Sequence, residues 1–138
     1  MHLTRFLIPE DMSTSDELQS NGEKKLIEVF GNKLGTKTIE NLKQMFGEFA
    51  SDAIEFAYGN IYSNDQLDLK QREIVTISML TALGNSPDQL KAHIFAGLKS
   101  GLTKEQIRGI IIQATIFAGF PQAINAMMIA ESIFSKSD

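Results

Sequence analysis

Of the two histidines in the chain, His93 is the one set inside a long helical stretch, among Ala92, Ile94, Phe95 and Ala96. Histidine carries protons near neutral pH, so His93 fits a general acid or base. It equally fits a core or interface histidine satisfied by one hydrogen bond. Arg72-Glu73 opens the most apolar helical stretch of the sequence. A carboxylate near a helix N-terminus is favoured by the dipole, and the same group could project into a pocket as an acid or base. Glu105 stands in a first helical turn behind Thr103 and reads as a helix-start residue. Gly119-Phe120-Pro121 breaks an otherwise continuous apolar pattern. Backbone donors freed at such a break can line a ligand site, and a plain interhelical turn explains the break as well. There is no cysteine, hence no thiolate ligand, disulfide or cysteine nucleophile. No HExxH, Walker loop, GxGxxG or metal-spaced carboxylate set occurs, so no metal is expected.

The elements that must position these residues are all helical, because every long periodic stretch has helical rather than alternating spacing. Residues 1–14 read as an extended arm and residues 15–138 as a single helical domain. A helix starts near Ser15, with Asp16 and Glu17 in its first turn, and stops at Gly31. A second region carries Ile39, Leu42, Met45, Phe46 and Phe49. Gly47 and Ser51-Asp52 suggest a break, with Ser51 capping a further helix through Ile54, Ala57, Tyr58 and Ile61. Asn64-Asp65 is a loop.

The stretch 70–83 is apolar on nearly all sides, which predicts a central helix covered by its neighbours. Gly84-Asn85 ends it. Ser86-Pro87-Asp88-Gln89 then has the form of a capping box with proline at the first helical position. This opens the His93 helix, which ends at Gly101. Thr103 to Gln106 repeats the box ahead of Ile107, Ile110, Ile111 and Ala114. A last helix follows Pro121. The expectation is an all-α domain of about six helices.

With 138 residues, 43% of them hydrophobic and 22% charged, the chain has the balance of one globular domain with a real core. A net charge of -4 and no Lys/Arg cluster argue against nucleic acid as partner. The opening residues offer an apolar run too short for a secretory signal. No apolar stretch reaches the roughly 20 residues that span a bilayer. These features predict a cytoplasmic protein with no membrane partner. The six methionines and nine phenylalanines fall at helical spacing and read as core.

Several segments together resemble one family. Leu67-Asp68-Leu69-Lys70-Gln71-Arg72-Glu73 resembles an L-D-x-x-x-R helix start, followed in order by Leu80 to Gly84, His93 to Leu98, Gly101 to Ile107 and Phe117 to Pro121. Upstream lie a G-x8-G helix at Gly22–Gly31 and an aromatic-Gly-x-x-aromatic element at Tyr58–Tyr62. Each motif is weak alone; in this order they resemble the carboxymuconolactone decarboxylase family over residues 22–134. The resemblance implies a compact orthogonal helical subunit of alkylhydroperoxidase D-like fold, assembled as a homo-oligomer, trimer or hexamer. The redox branch of that family places C-x-x-C just before a histidine. Here the slot reads Ser86-Pro87-Asp88-Gln89 ahead of His93, which cannot cycle between thiol and disulfide.

The decarboxylase branch implies a lyase of aromatic-compound catabolism that acts without a cofactor on a small-molecule substrate, a carboxylated lactone or related acid. On that resemblance His93 and Glu73 are the catalytic residues, and Arg72, Phe117, Gly119 and Pro121 bind the substrate. Two positions depart from the decarboxylase pattern: Ser63 replaces an arginine after the second aromatic, and Phe117 replaces a tyrosine. A substrate other than 4-carboxymuconolactone fits these changes. So does a non-catalytic ligand-binding or scaffold member of the family.

Overall fold

Thr14 begins the first helix by exchanging hydrogen bonds with Glu17: its hydroxyl accepts the Glu17 N–H, and the Glu17 carboxylate accepts the Thr14 N–H. In this computed structural model residues 14–136 are described, so the expected arm lies outside them but for its last residue. Seven α-helices and one π-helix make up the regular structure of the described residues, which contain no strand. The fold is therefore all-α, as the periodicity requires. The chain divides into two units that meet in sequence at Asn64–Asp65.

The first unit holds α1 (Ser15–Phe30), α2 (Asn32–Phe46), α3 (Glu48–Ile54) and a π-helix (Glu55–Ile61) that continues α3. Its core comprises Leu26, Val29, Phe30, Ile39, Ala50 and Ile54. Of the two positions that suggest a break, Gly47 holds it, with φ at 57°. Glycine adopts that conformation at little cost, and Ser51 lies inside α3. The π-helix presses its backbone against α1. A Cβ on Gly22 would stand 2.6 Å from the Ile54 carbonyl oxygen, and one on Gly59 would collide with the Leu18 carbonyl. Two glycines are needed for that approach. Here the Phe30 and Tyr58 rings meet edge to face at 6.2 Å.

The second unit comprises α4 (Leu69–Leu83), α5 (Pro87–Lys99), α6 (Lys104–Ala118) and α7 (Phe120–Phe134). Ile77, Leu90, Ile94, Ile107, Ile111 and Phe134 build its core, with alanines 123, 126 and 130 letting α7 pack closely. Arg108 of α6 ties to α7 through both oxygens of Glu131, at 2.6 and 3.0 Å, and its guanidinium lies 5.0 Å from the centre of the Phe134 ring.

Two local expectations fail in this unit. The Ser86 hydroxyl donates to Asn85 Oδ1 and caps nothing on α5. The Ser86 backbone, at φ -132° and ψ 62°, differs from the extended N-cap conformation that Thr103 adopts when it completes the expected box with Gln106. And α4 is not covered on all sides: Val75, Met79 and Leu83 are 42%, 54% and 62% exposed. Its neighbours bury the side that carries Glu73, Ile77 and Thr81. No helix among the described residues is long and apolar enough to cross a membrane.

Candidate active site

Asp68, with Gln71 closing a capping box, starts α4 and so fixes where its buried face begins. Glu73 lies in the second turn and is 1% exposed. That depth overturns the helix-start explanation for Glu73, because the dipole effect fades within the first turn. Burying a carboxylate costs several kcal/mol unless a partner compensates. One partner is His93, in mid-α5 and itself buried, with Nδ1 2.8 Å from Glu73 Oε2. A carboxylate can only accept, so when Glu73 is ionised the hydrogen in this bond sits on Nδ1.

The spacing along the two helices brings further residues to the same contact. Glu73 and Ile77 are one turn apart on α4; His93 and Gly97 are one turn apart on α5. A Cβ on Gly97 would stand 3.1 Å from Ile77 Cδ1 and 3.8 Å from Glu73 Cβ. Bare backbone at Gly97 thus lets α4 and α5 approach closely where the acid and the imidazole meet.

Of the residues singled out from sequence, Glu73 and His93 are in direct contact. Arg72 precedes Glu73 on α4 and is also buried, at 9%. Phe117 is 92% exposed and borders a cavity of about 330 Å³ with Ile74, Ser78 and Met79. Gly119, at φ 83°, separates α6 from α7, and Pro121 sits in the first turn of α7. Neither Gly119 nor Pro121 lines this cavity or a second one of about 330 Å³ near the start of α5. Glu105 is a surface acid paired with Arg108.

Sequence reasoning overlooked Thr81, Gln122 and Asn125, which line the second cavity. The signal available was Thr81, a lone hydroxyl on the buried face of an apolar helix. Among the described residues no group of three or more His, Cys, Asp or Glu is placed to hold a metal ion. Ser63, where the decarboxylase pattern has arginine, donates its hydroxyl to the Tyr58 carbonyl at 2.6 Å and so closes the end of the π-helix.

The described residues are thus all-helical in their regular structure and set a buried acid–imidazole pair across two adjacent helices. The model of the carboxymuconolactone decarboxylase family matches residues 47–132, and the chain belongs to that family. It is 35% identical over 107 residues to the 4-carboxymuconolactone decarboxylase of Acinetobacter baylyi, covering 78% of this chain and 79% of that one. A nitrosuccinic acid decarboxylase of Metarhizium robertsii is 27% identical over 124 residues, 86% of this chain and 85% of the other. A 15.0 kDa protein of Paracoccus denitrificans, from the nqo9-nqo10 intergenic region, is 28% identical over 122 residues, with 88% and 90% covered.

Proposed function

We propose that this protein is a carbon–carbon lyase that removes a carboxylate from a small lactone or related acid by general acid/base catalysis, without a cofactor. The observation that carries the reading is the buried Glu73–His93 pair, set in a chain whose relatives include two named decarboxylases. In an unsaturated carboxylactone, the bond from the ring carbon to the carboxylate breaks and carbon dioxide leaves. The electron pair passes into the conjugated lactone as a dienolate. His93, protonated on both nitrogens, gives its Nε2 proton to the ring carbon, and solvent returns a proton to the imidazole. Glu73 accepts the hydrogen bond from Nδ1–H throughout, which orients the imidazole.

Arg72, Phe117, Gly119 and Pro121 are assigned to substrate binding in this reading. The electron sink lies in the substrate itself, so no cofactor is needed for it. Carbon dioxide release from 4-carboxymuconolactone, measured directly, is the first test; nitrosuccinate and other small carboxylated lactones follow if that substrate is inert. No release from any of them would favour a non-catalytic ligand-binding member. One observation supports that second reading: Ser63 commits its hydroxyl to the Tyr58 carbonyl and supplies no cation for a second substrate carboxylate. We also assign the protein to a homo-oligomer, trimer or hexamer, on the apolar surfaces of α4 and α6, and place it in the cytoplasm as the sequence suggests.

A further inference from the structure

The second cavity is built differently from the acid–imidazole pair. It lies between the C-terminal half of α4, the start of α5 and α7 from Gln122 to Ile129, with a volume of about 330 Å³. Its polar lining consists of Thr81, Ser86, Gln122 and Asn125; Leu80, Leu90 and Ile129 supply apolar wall. Volume and mixture match a small-molecule site with a few placed polar groups.

The buried Thr81 hydroxyl is the feature that points to a ligand here, and the open start of α5 adds donors beside it. Thr81 is 1% exposed, and its hydroxyl oxygen has no hydrogen-bond partner. Buried polar groups are nearly always satisfied, because leaving one bare is costly. The start of α5 also lacks a side-chain cap, since Ser86 turns its hydroxyl to Asn85. Uncapped helix N–H groups are donors in want of an acceptor.

Charge then selects the ligand. No Lys, Arg, Asp, Glu or His lines the cavity. Asp88, in the first turn of α5, already offsets the positive end of the helix dipole, which disfavours an incoming anion. Leu90, one turn before His93 and buried, forms wall here, so the cavity's own lining includes neither His93 nor Glu73. Gly84, in the left-handed conformation at φ 69°, packs beneath Gln122: a Cβ there would come within 2.8 Å of the Gln122 side chain. That contact holds Gln122 at the cavity wall.

We infer that this cavity is a second binding site, separate from the Glu73–His93 pair, for a small uncharged molecule that both donates and accepts hydrogen bonds, such as a cyclic amide or hydroxy-lactone. The ligand fills the space against Leu80 and Leu90, and the Thr81 hydroxyl, closed off from water as the cavity stands, turns toward it to take or give a hydrogen bond. The site does not depend on decarboxylation, so its test reads binding alone.

The full-length protein, labelled at leucine and methionine methyl groups, is titrated with 2-piperidinone as the neutral probe and glutarate as the charged one. Saturable shifts at Leu80 and Leu90 with 2-piperidinone, absent with glutarate and absent at Met79 in the other cavity, are the expected result. Thr81→Val keeps the shape and removes the bare hydroxyl. It should raise the melting temperature while weakening the probe by about five- to tenfold, the worth of one hydrogen bond. Asn125→Leu, at an exposed position, should weaken the probe without unfolding the chain. Equal binding of glutarate, equal shifts at Met79, or unchanged binding to Thr81→Val would each overturn the site. So would Leu80 and Leu90 resonances that move on protein dilution and ignore the probe, which would give the cavity to a subunit contact.

Discussion

At the level of single residues, the Glu73–His93 pair shows how a buried charge constrains the reading of a variant. Removing the imidazole takes from the buried Glu73 carboxylate one of the groups bonded to it. Breaking such a pair typically costs about 3–5 kcal/mol. His93→Ala is therefore expected to lower the melting temperature as well as turnover, and alone it separates nothing. His93→Gln is the discriminating variant: its amide can still donate to Glu73 but cannot carry a proton near neutral pH. If His93 is the proton donor, Gln should restore much of the stability and leave turnover reduced by about 10²–10⁴-fold. Near wild-type turnover in His93→Gln would remove His93 from the chemistry. A second expectation concerns the slot ahead of His93. Ser86 and Gln89 hold no sulfur, and the chain has no cysteine to replace it. Peroxide consumption driven by a dithiol should not exceed that of a no-enzyme control.

At the level of helices, legibility follows the strength of the local signal. The Thr103 box is readable because the hydroxyl and the glutamine three residues on act with nothing but their own backbone. The same pattern at Ser86 misleads: an adjacent Asn85 competes for the hydroxyl, and that competition is a matter of geometry rather than spacing. The break at Gly47 is visible as glycine but is shared with Ser51, since a π-helix has no sequence period that separates it from α. Glu73 and His93 are legible as residue types. Their 2.8 Å contact is not, because it depends on how closely α5 approaches α4 at Gly97.

Two element-scale outcomes follow. Asp68→Ala removes the α4 cap and should cost about 1 kcal/mol, read as a lowered denaturation midpoint with unchanged slope. The Arg108–Glu131 tie between α6 and α7 should show in acid. The hydrogen bond from Arg108 holds the Glu131 carboxyl below its ordinary range, against the opposing effect of desolvation. A carboxylate lowered on folding stabilises above its unfolded value, and that support is lost as pH falls through the folded one. Glu131→Gln should thus be less heat-stable than the parent at neutral pH, and the two should converge in acid below the ordinary carboxylate range.

At the level of the whole molecule, the exposed apolar surface asks for an explanation that the isolated chain does not contain. Ile112 and Ile116 lie one turn apart on α6 and are 63% and 73% exposed, with Phe117 beside them; on α4, Val75 and Met79 are also open. The composition-based expectation that α4 is covered on every side is met only if another molecule covers this one. Scattered exposed hydrophobics are ordinary; a row along one helix is what the proposed assembly would bury. A second copy is the simplest cover, and a closed ring of copies buries the same row on each. Sedimentation at micromolar concentration should then show a species of three or six times 15.3 kDa. Ile116→Lys places a charge in the middle of the row without touching Glu73, His93 or the cap of α4. It should shift the population toward the single chain while leaving the helical circular dichroism unchanged. A parent protein that sediments as one species near 15.3 kDa would remove the assembly, and with it the physical reason for an apolar outer side on α4.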